Sequence, residues 1–172
     1  MSGLEGLRAV VLGTRGVLVE PAEVAVTGER AAEVPPGAWW LLRALEGAGM
    51  RRAAVAPGPG ERALLGRVGV AELLDAIVDE ADVARLGPAP TGGPDARPYQ
   101  EAAARLGVVP GDAAVIEATP EGVAAGRSGG FGLVVGVRPA GGPAAADALR
   151  AHGARLVIGD LSELLAPRAQ EG

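Results

Sequence analysis

The fold is decided by residues 7–19, which read Leu7-Arg8-Ala9-Val10-Val11-Leu12-Gly13-Thr14-Arg15-Gly16-Val17-Leu18-Val19. A nearly continuous apolar run that stops between two glycines is typical of a fully buried parallel strand ending in a tight turn. In an open α/β sheet, ligands bind outside the carboxyl ends of such strands. We therefore expect a functional site at Gly13, Thr14 and Arg15, which include neither an activated nucleophile nor a carboxylate for a metal ion.

The composition narrows the class of protein. The chain has 172 residues, of which 48% are apolar, and this length is enough for one domain with a sizeable core. Its net charge of −5, with no basic cluster, argues against nucleic acid as a partner. The absence of cysteine excludes disulfides, thiol catalysis and Cys-ligated zinc, and all 16 basic residues are arginine. No apolar run indicates a signal peptide or a membrane span, so we expect a cytoplasmic protein without a membrane partner.

Apolar runs alternate with helical patterns along most of the chain. Strands are predicted at 7–12, 51–56, 76–78, 113–116, 132–137 and 156–158, and helical segments at 38–49, 61–68, 71–74, 96–106, 120–127, 143–152 and 161–165. This order predicts a three-layer, Rossmann-like α/β fold, a parallel sheet with helices on both faces. We expect a single core domain over residues 1–167. Within it, residues 20–37 are expected to form a linker with at most one short helix, and residues 168–172 a frayed tail.

The order of segments resembles the haloacid dehalogenase (HAD) superfamily, and in particular its β-phosphoglucomutase-like branch. The likeness is carried by residues 12–18, 55–57, 92–108 and 115–131, and it continues through 134–137 and 147–161. In that family the first strand ends in Asp-x-Asp. The first Asp attacks the phosphoryl group, the second acts as general acid/base, and Mg²⁺ bridges the phosphate and the carboxylates. Relatives also carry a several-helix cap after this motif. Only a vestigial linker, 20–37, stands there in this sequence, so we expect the cap to be absent.

The positions that perform the family's chemistry are replaced here. The positions of the two aspartates are occupied by Gly13 and Arg15. Pro57 stands at the position of the hydroxyl residue, Gly93 at that of the lysine and Ala118 at that of the metal-binding Asp. Glu117 is the residual member of the acidic pair at its strand end. A phosphoaspartate cannot form at a glycine, and one carboxylate beside an arginine is a poor Mg²⁺ site. The resemblance therefore implies no catalytic residue at these positions, no bound metal and no other cofactor.

These replacements favour a catalytically inactive HAD-like protein, a pseudoenzyme with a binding, regulatory or structural role. Two alternatives stay open. One is a HAD-like hydrolase, a phosphatase or phosphoglucomutase-like enzyme, acting on a small phosphorylated metabolite. The other is a non-catalytic sensor of an anionic metabolite, for which Arg15, Gly16 and Arg97 are the candidate anion-binding residues. The interpretation that we favour for Arg15 is that it forms an ion pair with Glu117 and fills the metal position.

Trp39 and Trp40 are the candidate interface residues. Neighbours on a helix point about 100° apart, so both rings are buried only if the helix is covered over a broad face. An exposed tryptophan is a candidate contact residue, whereas the alternative is that one ring packs on the surface of its own chain. The partner would be an unknown protein or a second copy of this chain, in a homodimer.

Overall fold

The computed structural model describes residues 1, 3–22, 31–138 and 142–165. In chain order the strands and helices are β1 (Ala9–Gly13), β2 (Glu20–Ala22), β3 (Ala31–Glu33), α1 (Pro36–Gly47), β4 (Arg51–Ala56), α2 (Glu61–Arg67), β5 (Ala76–Asp79), α3 (Glu80–Arg85), α4 (Arg97–Arg105), β6 (Ala113–Glu117), α5 (Pro120–Ser128), β7 (Leu133–Val137), α6 (Gly142–Ala151) and β8 (Leu156–Ile158). Short 3₁₀ turns lie at Ala71–Leu73, Pro110–Asp112 and Leu161–Leu164.

Six parallel strands form the main sheet in the order β5-β4-β1-β6-β7-β8. Strand β1 lies at its centre, where Ala9 is in register with Arg51 of β4 on one side and with Ala113 of β6 on the other. All five residues of β1 are buried, as expected of an apolar strand covered on both faces. The predicted parallel α/β sheet, organised around residues 7–19, is therefore confirmed.

Alternate residues of the central strand face two separate apolar clusters. Val10 and Leu12 pack with residues of α1 and α2, whereas Ala9 and Val11 pack with residues of α4, α5 and α6. This alternation follows from the two-residue period of a strand. The helices cover both faces of the sheet and produce the three layers that the sequence predicts.

Three helical segments begin or end at residues that are typical of those positions. The Thr119 hydroxyl caps α5 by accepting a hydrogen bond from the Gly122 N–H at 3.1 Å. Gly107 has a φ of +67° after the end of α4, the left-handed conformation that favours glycine. Asp160 caps the 3₁₀ turn at Leu161–Leu164, which replaces the α-helix predicted at 161–165.

The region predicted as a linker differs from the expectation. Strands β2 and β3 pair antiparallel, and α1 begins at Pro36 rather than Ala38. A three-residue strand is too short for its alternation to show in the sequence. Residues 23–30 of this region lie outside the described part of the chain, as does the predicted tail over 168–172.

Helix α3 is an element that the sequence analysis did not predict. Its start is fixed by a capping box, in which the side chains of Asp79 and Asp82 each accept a hydrogen bond from the other residue's backbone N–H. Across the described ranges, no helix is long and apolar enough to cross a membrane.

Candidate functional site

A cavity of about 420 Å³ lies at the carboxyl ends of β1, β4 and β6. This is the edge of a parallel α/β sheet at which ligands bind. Its lining comprises Thr14, Arg15, Val55, Pro57, Glu61, Val83, Pro94, Asp95, Pro98, Tyr99, Glu117, Thr119, Glu121, Gly122 and Ala125. Two of the three residues at which the sequence predicts a site, Thr14 and Arg15, line this cavity.

Of the side chains that the structure describes, Glu117 is one of two buried carboxylates that line this site, with 5% of the residue exposed, and Glu61 is the other. It is the last residue of β6, so its side chain projects from the carboxyl end of a central strand. Its Oε1 accepts a hydrogen bond from the Tyr99 hydroxyl at 2.7 Å, and its Oε2 accepts one from the Ala118 N–H at 3.1 Å. Tyr99 reaches it from the buried face of α4.

Two glycines make room for the Glu117 carboxyl group. A Cβ atom built on Gly13 would lie 2.3 Å from Glu117 Oε1, and one built on Gly122 would lie 2.5 Å from Glu117 Cδ. Both distances are far inside van der Waals contact, so neither position accommodates a side chain while Glu117 keeps this orientation. The carboxyl group on β6 therefore occupies the volume that a side chain on the last residue of β1 would need.

Burial raises the pKa of the Glu117 carboxyl, and the neighbouring Glu61 acts in the same direction. The hydrogen bonds from Tyr99 and the Ala118 N–H oppose this shift because they stabilise the ionised form. The pKa of the Tyr99 phenol is raised by burial and by the adjacent Glu117. The phenol therefore keeps its proton and acts as the hydrogen-bond donor to Glu117.

The predicted direct ion pair between Arg15 and Glu117 is wrong. Arg15 instead donates from Nε to Glu61 Oε1 at 2.6 Å, and 74% of its side chain is exposed. Glu61 is held at the start of α2, where its other carboxylate oxygen accepts a hydrogen bond from the Gly58 N–H at 3.2 Å. Because Tyr99 and a backbone N–H already hold Glu117, and Glu61 faces Arg15 from the start of α2, the guanidinium pairs with Glu61.

The donors of the three anion-binding candidates are largely engaged within the protein. Gly16 has a φ of +75° in the turn after β1 and donates its N–H to the Val19 carbonyl at 2.9 Å. Arg97 donates from Nε and Nη2 to both carboxylate oxygens of Asp95 at 2.8 Å, and from Nη1 to the Leu86 carbonyl at 2.7 Å. Of the three, Arg15 alone lines the cavity, and most of its side chain is exposed.

The remaining positions of the family motifs contribute little chemistry. Pro57 lines the cavity, and Ala118 contributes the backbone N–H that binds Glu117. Gly93 lies on an exposed loop, and a Cβ atom built on it would meet nothing within 4 Å. The Thr14 hydroxyl is buried and donates to the Val55 carbonyl at 3.0 Å, so it links the ends of β1 and β4.

The family's Mg²⁺ ion does not fit this set of residues. Magnesium prefers several oxygen ligands in octahedral geometry. The Glu117 carboxylate is already bound by Tyr99 and a backbone N–H, and Glu61 is bound by Arg15. In the described part of the chain, no three acidic, histidine or cysteine side chains come together as a metal site.

The two tryptophans of α1 have different environments. Trp39 is half-buried and packs against the cluster that contains Leu41 and Leu42, with its ring 3.6 Å from a Cβ atom built on Gly69. Trp40 is 66% exposed. Trp39 thus packs on its own chain, as in the alternative given above. Trp40 is the remaining candidate contact residue.

Three residues of the site had no role in the sequence analysis: Tyr99, Glu61 and Gly122. Tyr99 is the chain's single tyrosine and lies on the buried face of a predicted helix, so a hydroxyl needing a buried partner was a readable signal. Glu61 follows the Pro-Gly-Pro-Gly stretch at 57–60, and its position in the sequence does not indicate an ion pair with Arg15. Gly122 is recognisable as a functional glycine only from its contact with Glu117.

The chain is similar to several known proteins in sequence and in structure, although no protein-family model matches it. A β-phosphoglucomutase of Mycobacterium bovis is 39% identical over 134 residues, which cover 78% of this chain and 50% of that enzyme. A trehalose-phosphate phosphatase of Mycobacterium marinum is 43% identical over 95 residues, covering 52% of this chain and 24% of that protein. The solved structure of a HAD-family hydrolase from Deinococcus radiodurans, with bound phosphate and sodium, aligns with a TM-score of 0.74 and 24% identity. That alignment covers 92% of this chain and 93% of the hydrolase.

The parallel sheet and the position of the cavity define an α/β protein with its site at the strand ends. The chain belongs to the haloacid dehalogenase superfamily, in its β-phosphoglucomutase-like branch. It spans about half the length of the β-phosphoglucomutases that it matches. The predicted family is confirmed, and its named relatives include phosphatases and phosphomutases. These names favour the alternative of a HAD-like hydrolase more than the inactive protein predicted first.

Proposed function

We propose that this chain is a HAD-fold protein that binds a ligand or partner at its strand-end site and does not transfer phosphoryl groups by the family mechanism. The observation that carries the proposal is the position of the Glu117 carboxyl group directly against Gly13. A nucleophilic carboxylate at position 13 is absent from the sequence, and its volume is occupied by another residue. Glu117, the carboxylate that remains of the family's acidic pair, is buried and hydrogen-bonded, which is a poor state for attack on phosphorus.

Three further features support this proposal. The arginine that could face a substrate phosphate pairs with Glu61. At the position of the family's lysine stands Gly93, which has no side chain to contribute a positive charge. Phosphoryl transfer depends on cations that neutralise the charge of the transferred group. Among the described residues, the cavity has neither a set of Mg²⁺ ligands nor an arginine without a carboxylate partner.

The second candidate function is that of a HAD-like phosphatase or phosphomutase acting on a small phosphorylated metabolite. The identity of 39% to a β-phosphoglucomutase favours it. In that case Glu117 would be the acting carboxylate, as the buried acid that lines the cavity with a raised pKa.

A phosphatase assay separates the two functions. The purified chain is incubated with p-nitrophenyl phosphate and with sugar phosphates in the presence of Mg²⁺. We expect no release of phosphate above the blank. Turnover that disappears both with EDTA and in the Glu117→Gln variant would refute the proposal and establish the hydrolase. Turnover that is unchanged in Glu117→Gln indicates a contaminating phosphatase. The assay is then repeated on a repurified sample to distinguish the two functions.

A second proposal concerns the surface through which the chain contacts another protein. We infer that the exposed face of α1 around Trp40 contacts a protein partner or a second copy of this chain. A large exposed aromatic side chain is enriched among residues that carry association free energy. Analytical ultracentrifugation of the wild type over a range of concentrations tests the homodimer directly, because a monomer at all concentrations would leave only a different protein as the partner.

A further inference from the structure

We propose that the strand-end cavity binds a small primary amine with an apolar body, whose ammonium group lies against the Glu117 carboxylate. The inference rests on the proposed function, because it takes the site to be free of phosphoryl-transfer chemistry. It names the chemical class of the ligand, which is opposite in charge to a phosphorylated metabolite.

The size and walls of the cavity suit a small organic molecule. Its volume of about 420 Å³ falls within the range of small-molecule sites, about 300 to 1,000 Å³. Apolar groups dominate its walls and are contributed by Val55, Pro57, Val83, Pro98 and Ala125. The apolar body of a ligand would remove these surfaces from water, which is favourable.

The charges of the lining are unsuited to an anion. Within the described ranges, Arg15 is the arginine that lines the cavity, and its Nε is bound to Glu61. Arg97 is bound to Asp95, which lines the cavity. A phosphate dianion placed here would meet four carboxylate side chains, those of Glu61, Asp95, Glu117 and Glu121.

Glu117 distinguishes this cavity from a chance group of surface acids. It is 5% exposed, and across the described residues no arginine pairs with it. Its orientation is fixed by Tyr99 and by the close approach of Gly13 and Gly122, so the carboxylate is held in place before any ligand arrives. A buried carboxylate without a counterion is costly. An ammonium group would supply the missing charge through a charge-assisted hydrogen bond.

Three ligands with the same apolar body test the inference on the unaltered protein. Benzylamine, benzyl alcohol and benzyl phosphate differ only in the charge of the head group. Binding is measured by isothermal titration calorimetry and by the shift in melting temperature. We expect benzylamine to bind tightest, benzyl alcohol at least about ten-fold more weakly, and benzyl phosphate not at all. Equal or tighter binding of benzyl phosphate, or no binding of benzylamine, overturns the inference.

Variants locate the binding site. Glu117→Gln is expected to lose at least about ten-fold in benzylamine affinity and to bind benzyl alcohol as the wild type does. The matched control is Glu72→Gln, which removes the same charge from an exposed residue outside the cavity lining. An equal loss in both variants would show that benzylamine responds to overall charge and would refute the site. If Glu117→Gln does not fold, Val83→Phe, which fills the cavity from α3, is expected to abolish binding of both benzylamine and benzyl alcohol.

The results of the two tests are separable. If benzylamine does not bind and no phosphate is released in the phosphatase assay, the amine site is wrong and the proposed function stands. If EDTA-sensitive turnover is found, the proposed function is wrong whatever benzylamine does.

Discussion

Replacing Gly13 with alanine is expected to destabilise the protein by about 2–4 kcal/mol. The new methyl group would lie 2.3 Å from Glu117 Oε1, and the three nearest heavy atoms around it all belong to the Glu117 carboxyl group. Overpacking a buried site costs about 1–3 kcal/mol. Displacing the carboxyl group would also weaken its hydrogen bond with Tyr99, and hydrogen bonds to charged groups contribute about 1.5–3 kcal/mol.

A double-mutant cycle isolates the contact between positions 13 and 117. In a Glu117→Ala background the carboxyl group is gone, so Gly13→Ala is expected to cost less than about 1 kcal/mol. The two substitutions would then be coupled by about 2 kcal/mol, within the range for residues in direct contact. Urea unfolding followed by circular dichroism gives the four free energies of unfolding.

A matched control separates the contact from the general effect of Gly→Ala substitution. Gly66 lies in α2, and a Cβ atom built on it meets nothing within 4 Å. Gly66→Ala is therefore expected to leave the protein as stable as the wild type or to stabilise it by about 0.5–1 kcal/mol. If Gly13→Ala behaves like Gly66→Ala, or if the cycle shows no coupling, the packing of Glu117 against Gly13 is refuted.

Three further outcomes are expected. Folded Glu117, with its raised pKa, keeps its proton to a higher pH than the unfolded chain does. The wild type should therefore lose stability relative to Glu117→Gln as pH rises above the ordinary carboxyl range, about 4. A constant difference in melting temperature would contradict this. Arg15→Ala should cost about 1–3 kcal/mol because it leaves the buried Glu61 without its ion-pair partner, and inorganic phosphate should raise the melting temperature of neither protein; a phosphate shift lost in Arg15→Ala would support the anion sensor instead. Trp40→Ala should leave the melting temperature unchanged, and if the wild type is a dimer it should sediment as a monomer.

The fold was predictable because its signals are local and repeated. The apolar run at 7–12 is buried on both faces of the sheet, and the Thr119 cap and the Gly107 turn use short-range hydrogen bonds and backbone conformation. Helix α3 was missed because it is short and polar, although Asp79 and Asp82 at the spacing of a capping box were a readable start signal. The hairpin of β2 and β3 was missed because three-residue strands are too short to establish a period.

The partners within the site were harder to predict than its location. Topology places the ends of β1, β4 and β6 together, and this much follows from the sequence. Whether Arg15 pairs with Glu117 or with Glu61 depends on which carboxylate is already bound by other donors. The hydrogen bond from Tyr99 decides it, and that residue lies on a different element, 18 positions from Glu117. Side-chain pairing of this kind is set by packing in three dimensions, which no spacing in the chain specifies.

The arrangement around Glu117 also bears on what would follow from placing the family's aspartate at position 13. Gly13→Asp alone would bring a second carboxyl group into a buried volume that Glu117 already fills, and two adjacent carboxylates cannot both ionise there without a cation. Removing Glu117 as well would clear the space, but the lysine position would still be Gly93 and the metal position Ala118. The residues around Glu117 therefore depend on one another. Gly13 and Gly122 fit Glu117, Tyr99 holds it, and Glu61 binds the arginine that would otherwise face it. Gly13→Asp is expected to reduce stability without producing Mg²⁺-dependent phosphatase activity, and the appearance of that activity would show that Glu117 can leave this volume when a ligand requires it.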